Sequence, residues 1–280
     1  MNDRAPHVVT DSTSDLPVEM AQRLDITVVP CQIHFGDQTF LDGVTITRAQ
    51  FYDRLRSGER FSTSQPSVGA FAEVYRRLLA DGRSVVSIHL ASRLSGIYNS
   101  AWLAASQTDP ERITVIDSQQ VSMCVGWLAM HAAQAAQEGR SRPEIASMVD
   151  QRLSHLRLLA VIDDLRFLHR GGRVSWASSL VGSLFAIKPI ILVRQGQADL
   201  HEKARSLARG IERVATLVEE LGPLERVAVL HAGAPERAAE LAERIARFVS
   251  GDRLLVTEAG VIISGHAGPG AVGAACLMAG

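Results

Sequence analysis

The chain has 280 residues and a mass of 30.3 kDa, enough for one large domain or two modest ones. At roughly 100–200 residues per domain, two is the better expectation. With 46% hydrophobic and 21% charged residues it has an ordinary globular composition, which excludes collagen-like, coiled-coil and disordered chains. Lys+Arg 29 against Asp+Glu 30 leaves a formal charge of −1, without the basic excess on which nucleic-acid binding draws. Aromatics are scarce at 5%, which favours helices packed on sheets over an aromatic-rich sandwich.

Strand and helix signals alternate from the start. His7–Thr10 reads as a strand ending in a polar loop, with Ser14 or Asp15 capping a helix and Pro17 in its first turn. Ile26–Phe35 reads as one strand. Ser67 caps a helix with Val68, Phe71, Ala72, Tyr75, Leu78 and Leu79 on its apolar face, and Gly82 stops it. Ser84–Leu90 and Ile113–Asp117 are β-branched runs, each followed by helix, as in a parallel sheet with helical crossovers. Ser141-Arg142-Pro143-Glu144 is a capping box.

From Leu156 the texture changes. Leu158–Ile162 is a strand, followed by a short segment Asp164–Arg170. Ile190–Val193 and Ala198–Glu202 flank Gln195-Gly196-Gln197 as a hairpin. A helix over Ser206–Leu221 ends at Gly222-Pro223. Val227–Leu230 and Arg253–Val256 are strands, with the helix Pro235–Val249 between them. The expectation is α/β with two domains: residues 1–160 with a mostly parallel sheet, residues 161–280 with a mixed one.

Cys31, Cys124 and Cys276 form no C-x-x-C pair and read as reduced thiols of a cytoplasmic protein. The N-terminus MNDRAPHVVTDS lacks the apolar core of a signal peptide. The apolar stretch Leu180–Val193 is broken by Gly182, Ser183 and Lys188-Pro189, so no integral membrane segment is expected.

Four hydroxyl- and glycine-rich segments are expected after strands: Thr10–Asp15, Thr63–Ser67, Ser92–Gly96 and Gly265–Gly270. Each reads either as a helix cap or as a neutral anion site. Gly268–Gly273 matches G-x-G-x-x-G, but only seven residues follow it, so the dinucleotide reading fails and a glycine turn remains. His266 beside it is either a structural hydrogen-bonder or a donor to an anion. No metal spacing, G-x-S-x-G or P-loop occurs, so no metal or other cofactor is expected. Arg170-Gly171-Gly172-Arg173 reads either as a solvated helix end or as a clamp for a phosphate or a partner carboxylate.

Read in order, Val9–Pro17 (VTDSTSDLP), Thr63–Ser67 (TSQPS), Ala91–Ala101 (ASRLSGIYNSA), Ile116–Ser118, Leu165–Val174 (LRFLHRGGRV), Lys188–Pro189 and Gly265–Gly273 (GHAGPGAVG) resemble the DegV family of bacterial fatty-acid-binding proteins. One departure is Ile97, where the family commonly has threonine. The resemblance implies two α/β domains holding one long-chain fatty acid between them, the tail buried and the carboxylate at the mouth. It implies that Thr63, Ser95 and Gly96 bind the carboxylate, with His266 nearby. Arg173, together with Arg170, would lie on the surface engaged by a dihydroxyacetone-kinase-like fatty acid kinase. That partner would phosphorylate the bound acid to acyl-phosphate for phospholipid metabolism, this chain being a binding subunit and not itself the enzyme. Two other readings remain open at this point: an acyl hydrolase or transferase using Ser95 with His266 as base, and a nucleotide-binding regulator.

Overall fold

The computed structural model describes residues 4–174, 187–249 and 251–280, and the chain forms two compact units. Residues 1–47 and 58–154 make the first; residues 48–57 and 155–280 make the second.

In chain order the first unit begins with β1 (Arg4–Asp11), α1 (Val18–Arg23), β2 (Ile26–Val29), β3 (Gln32–Phe35) and β4 (Gln38–Leu41). Next comes α2 (Arg48–Arg56), which packs with the second unit. The first unit resumes with β5 (Phe61–Ser64), α3 (Val68–Ala80), β6 (Arg83–His89), α4 (Ile97–Thr108), β7 (Ile113–Asp117), α5 (Met123–Gln137) and α6 (Arg142–Arg152). Its main sheet is parallel throughout, in the order β2-β1-β6-β7. The helix α5 is apolar almost all round and buried from Met123 to Met130, as a central helix must be.

The run Ile26–Phe35 is not one strand. Pro30, which has no N–H to give a ladder, separates β2 from β3, and the two join different sheets. β3 sits in the middle of an antiparallel sheet ordered β4-β3-β5, which the sequence patterns did not announce. The turn after β1 also differs from expectation. Ser12–Ser14 is a single 3-10 turn capped by the Asp11 carboxylate, Asp15 is left-handed at φ 52°, and Pro17 precedes α1 at its N-cap.

The second unit continues with β8 (Leu156–Val161), α7 (Leu165–Gly171), β9 (Lys188–Arg194), β10 (Gln197–Ala204), α8 (Leu207–Glu220), β11 (Leu224–His231), α9 (Pro235–Ile245), β12 (Leu254–Glu258), α10 (Val261–Ala267) and β13 (Val272–Met278). Among the described residues its mixed sheet is ordered β10-β9-β8-β13-β11-β12, with only the β11–β12 ladder parallel. Gln195 and Gly196, both at positive φ (50° and 76°), make the two-residue hairpin turn.

Alternation along the strands divides this core in two. Leu159, Val161, Ile190 and Val229 face Val214, Val218 and Leu241 of α8 and α9. Ile162 and Ile191 belong to a smaller cluster with Leu165, Leu168 and Ala271. Gly210 of α8 lies directly on Val161, so any Cβ there would collide with the strand. The helix α2 joins this unit through buried Phe51 and Tyr52, the Tyr52 ring lying about 3.0 Å from where a Cβ on Gly233 would stand. Arg48 Nε also donates to Ala259 O at 3.1 Å.

Among the described residues no helix is long and apolar enough to cross a membrane. Of the stretch Leu180–Val193, residues 180–186 lie outside the described residues, and β9 accounts for the rest from Lys188. All three cysteines are free and buried, and burial raises the Cys276 thiol to about 12.

His7, 4% exposed, couples the N-terminal end of the parallel sheet to pH. Nδ1 accepts from Arg83 Nη1 at 2.5 Å and Nε2 donates to Thr27 Oγ1 at 2.8 Å, an arrangement that suits the neutral ring. Burial, aided by Arg83 and Arg77 and opposed by Asp25, lowers its pKa to about 4. Between pH 6.5 and 4 the unfolded chain therefore binds the extra proton. The His7 contribution is complete above pH 6.5 and is lost as pH falls through that window, up to roughly 3 kcal/mol. Unfolding free energies measured from pH 7 to 4.5 should fall less steeply in His7→Gln than in the parent.

Candidate functional site

In an open parallel sheet the loops part, and ligands bind, where the strand order reverses. Here β1 leads to β2 on one side and β6 to β7 on the other, so the reversal falls between β1 and β6. The loop 11–15 and the turn 90–96 leave from that point.

A fully buried polar chain holds the seam together. His89 Nδ1 donates to Asp11 Oδ2 at 2.8 Å, Ser87 Oγ meets His89 Nε2 at 2.7 Å, and Tyr75 Oη meets Ser87 Oγ at 2.8 Å. The order that satisfies every atom runs Tyr75 to Ser87 to His89 to Asp11. The other Asp11 oxygen accepts from the Thr13 backbone N–H at 3.0 Å and from the Thr13 hydroxyl. Burial holds the Tyr75 phenol well above its usual pKa. Asp117, at the end of β7, accepts from Ser92 N at 3.2 Å and Gln119 N at 2.9 Å, binding the neighbouring loops. The Ser122 hydroxyl donates to the Asp15 carboxylate, both buried and both at positive φ.

Thr63 is half-buried on β5, opposite Ile33 of β3. It therefore shares a face with Ile33, Phe35 and Phe61, while Ser64 on the other face bonds His34 and Gln32. Ser95 lies in the turn after β6, its N–H donating to Ala91 O at 3.3 Å. Gly96 is the N-cap of α4 at φ −79° and gives the helix no side-chain cap. Ile97, the first residue of α4, is buried, so its apolar side chain suits the place. Gln65 ties the two segments together: its Nε2 donates to Ser100 Oγ at 3.2 Å and its amide lies across Gly96. The TSQPS run contains this glutamine, but sequence reading assigned it no role.

His266, Arg173 and Arg170 belong to the second unit. The β-branched run Val261–Ile263 opens a helix, α10, whose seven residues carry Gly265 and His266. The Gly265–Gly270 segment accordingly begins inside a helix and forms the turn into β13; it does not open a helix. His266 lies against Gly171 of α7, where a Cβ would stand 2.6 Å from Nδ1. Burial, with Arg173 adding to it, lowers the His266 pKa to about 4, so the ring is neutral at pH 7.

Gly172, left-handed at φ 65°, ends α7, and exposed Arg173 folds back to donate from Nη1 to Gly171 O at 2.6 Å. One arm of its guanidinium is therefore engaged by its own turn. Arg170 is exposed with its guanidinium 5.6 Å from the Phe167 ring centroid. Leu165 and Leu168 anchor the helix in the core. The glycine turn is held from behind: Asp163 accepts from Lys188 at 2.6 Å and from Arg237 at 2.8 Å, and Arg237 also donates to Gly270 O at 3.0 Å. Thus Thr63, Ser95 and Gly96 fall in one unit, and His266 and the two arginines in the other.

Among the described residues no group of three or more His, Cys, Asp or Glu side chains could hold a metal ion. In the first unit, Thr63 on the face of Ile33, Phe35 and Phe61 and the backbone at the start of α4 are uncharged polar groups.

A parallel α/β unit and a mixed α/β unit, each with hydroxyls or glycines at strand and helix ends, define an α/β protein of two units. The chain belongs to the DegV family: the family model, described as uncharacterised protein of the DegV family, matches residues 6–278. A DegV domain-containing protein of Deinococcus radiodurans is 37% identical over 277 residues, covering 96% of each chain. Another, of Streptomyces coelicolor, is 34% identical over 270 residues, 95% of this chain and 96% of that one. Among solved structures, a fatty-acid-binding DegV family protein of Thermus thermophilus superposes with a TM-score of 0.91 at 31% identity, covering 98% of this chain and all of that one. DegV of Bacillus subtilis, described as a fatty acid binding protein, gives 0.87 at 31% identity, covering 98% and 99%. A stearic-acid-binding protein of Eubacterium ventriosum gives 0.90 at 25% identity, covering 98% of both chains.

The buried seam supplies a test of what holds the site. Asp11→Ala leaves His89 Nδ1–H, Thr13 N–H and the Thr13 hydroxyl without their acceptor in a fully buried place, and at about 1–3 kcal/mol for each orphaned donor should cost roughly 3–5 kcal/mol in denaturant unfolding. Ser87→Ala should cost about 1–3 kcal/mol. The double variant should cost less than their sum, because the groups act as one network.

Proposed function

We propose that the chain binds one long-chain fatty acid and presents its carboxylate to a separate kinase in the cytoplasm. The observation that carries this reading is the whole-length likeness to proteins described as binding fatty acids. In this reading Thr63, Ser95 and the N-terminal amides of α4 at Gly96 receive the carboxylate, with the neutral His266 a further donor or acceptor near the head group.

The physical chemistry supports a division of labour. Each buried methylene contributes ~0.8 kcal/mol, so a sixteen-carbon tail offers on the order of 12 kcal/mol before costs. Hydrogen bonds to a carboxylate give roughly 1.5–3 kcal/mol each and are largely offset by desolvation. The tail sets affinity and the hydroxyls set register. Neutral donors also leave a carboxylate oxygen nucleophilic, whereas an arginine fork would hold it. In the transfer that oxygen attacks the γ-phosphorus of the ATP bound by a dihydroxyacetone-kinase-like partner, ADP leaves, and the acyl-phosphate remains on this chain. Exposed Arg173 and Arg170 form part of the surface that meets the partner.

Two measurements test the reading. With delipidated protein, Thr63→Ala and Ser95→Ala should each weaken palmitate binding by roughly 1–3 kcal/mol, less than additively when combined. Equal losses for palmitate and its methyl ester would show that neither hydroxyl reads the head group, and failure of the parent to take up any C14–C18 acid would end the proposal.

For Arg173→Ala, lipid affinity should stay within about threefold, below ~0.7 kcal/mol. Kinase-coupled acyl-phosphate formation should drop at least about tenfold. Collapse of lipid binding with normal turnover per bound lipid would place Arg173 in the lipid site instead.

A further inference from the structure

Gln65 is exposed, yet its amide is held at two points. Nε2 donates to the hydroxyl of Ser100, which is 7% exposed and one turn into α4, at 3.2 Å. The same amide covers Gly96 so closely that a Cβ there would stand 2.6 Å from Oε1, 2.7 Å from Nε2 and 2.8 Å from Cδ. These are the three nearest atoms such a Cβ would meet, and all belong to Gln65. At φ −79° the backbone of Gly96 would admit any residue, so it is the amide that claims the space.

Immobilising a glutamine costs on the order of 1–2 kcal/mol of rotamer entropy, and an exposed one gains little apolar burial in return. What the contacts do achieve is registration. Gln65 lies two residues beyond Thr63, and Gly96 directly follows Ser95. One side chain therefore fixes the exit of β5 against the first turn of α4, although β5 belongs to the antiparallel sheet and α4 follows a strand of the parallel one.

We infer that Gln65 is a positioning residue for the carboxylate site, holding Ser95 and the first amides of α4 in register with Thr63 through its seat on Gly96 and Ser100. The inference rests on the proposed binding of a fatty-acid carboxylate by these segments. Hydrogen bonds to a carboxylate need donors within about 2.7–3.0 Å, so a small slip of α4 against β5 loosens head-group recognition and leaves tail burial untouched.

The experiment uses delipidated full-length protein with palmitate and methyl palmitate as competing probes. Gln65→Ala should weaken palmitate roughly tenfold, methyl palmitate by less than about twofold, and leave the unfolding temperature unchanged. Gly96→Ala, whose new methyl would meet the Gln65 amide before any other group, should displace that amide and give the same acid-selective loss. In the Gln65→Ala background Gly96→Ala should add almost nothing, because the clash is gone. A merely structural role would lower both ligands together and make the two substitutions additive; either result overturns the inference. If the parent prefers the acid and that preference survives Gln65→Ala, the inference falls while the binding reading stands. A parent that does not distinguish acid from ester removes the reading and the inference together.

Discussion

The first unit depends on the seam between β1 and β6, and the seam depends on the buried Asp11–His89 pair. Crossovers leave these strands in opposite directions, so no connection covers the gap between their carboxyl ends. A fully buried carboxylate and the imidazole that donates to it are tolerable only if their remaining lone pairs and protons are satisfied. Thr13, Ser87 and Tyr75 do this, which couples the 11–15 loop to β6 and, through Tyr75, to α3. The loops that this seam supports carry Asp15, Gln119 and Ser122 at positive φ. Such conformations persist where the surroundings over-determine them, and the Asp15–Ser122 and Asp117 hydrogen bonds supply that surplus.

The two units use glycine in the same way at their candidate site residues. Gly96 seats the Gln65 amide, and Gly171 seats the His266 ring. In each case a missing Cβ brings a polar side chain onto a helix end where no larger residue would admit it. The electrostatic consequences differ. Around Thr63, Ser95 and Gly96 the groups are neutral donors suited to a single negative charge. In the second unit His266 is kept neutral by burial and by Arg173, while the guanidinium of Arg173 stays exposed at the turn. Recognition and partner contact are thereby given to chemically different groups in the proposed function.

Much of this was legible from local pattern. The alternation of β-branched runs with amphipathic helices gave the parallel sheet. The hairpin was readable from Gln195-Gly196, the caps from Ser67 and Ser141, and the free, buried thiols from their apolar surroundings. These signals depend on residues a few positions apart, and periods of 2 and 3.6 survive in sequence. The segments around Thr63, Ser95 and His266 stood out because hydroxyls, glycine and histidine gather there beside apolar runs, while the individual roles of Thr63 and Ser95 came from the resemblance to the DegV family. Where tertiary structure decided, the cause was long range. Ile26–Phe35 has a strand composition throughout, and only the pairing partners on either side of Pro30 send its halves to different sheets. Val261–Ile263 is β-branched, yet packing of α10 against α7 overrides that preference. The helix α2 is drawn from the middle of the first unit's sequence by the burial of Phe51 and Tyr52. The seats of Gln65 on Gly96 and of His266 on Gly171 join residues 31 and 95 positions apart. No local pattern encodes such contacts, because they arise only when two helix ends and their neighbours are brought within a few ångströms by the sheets that carry them.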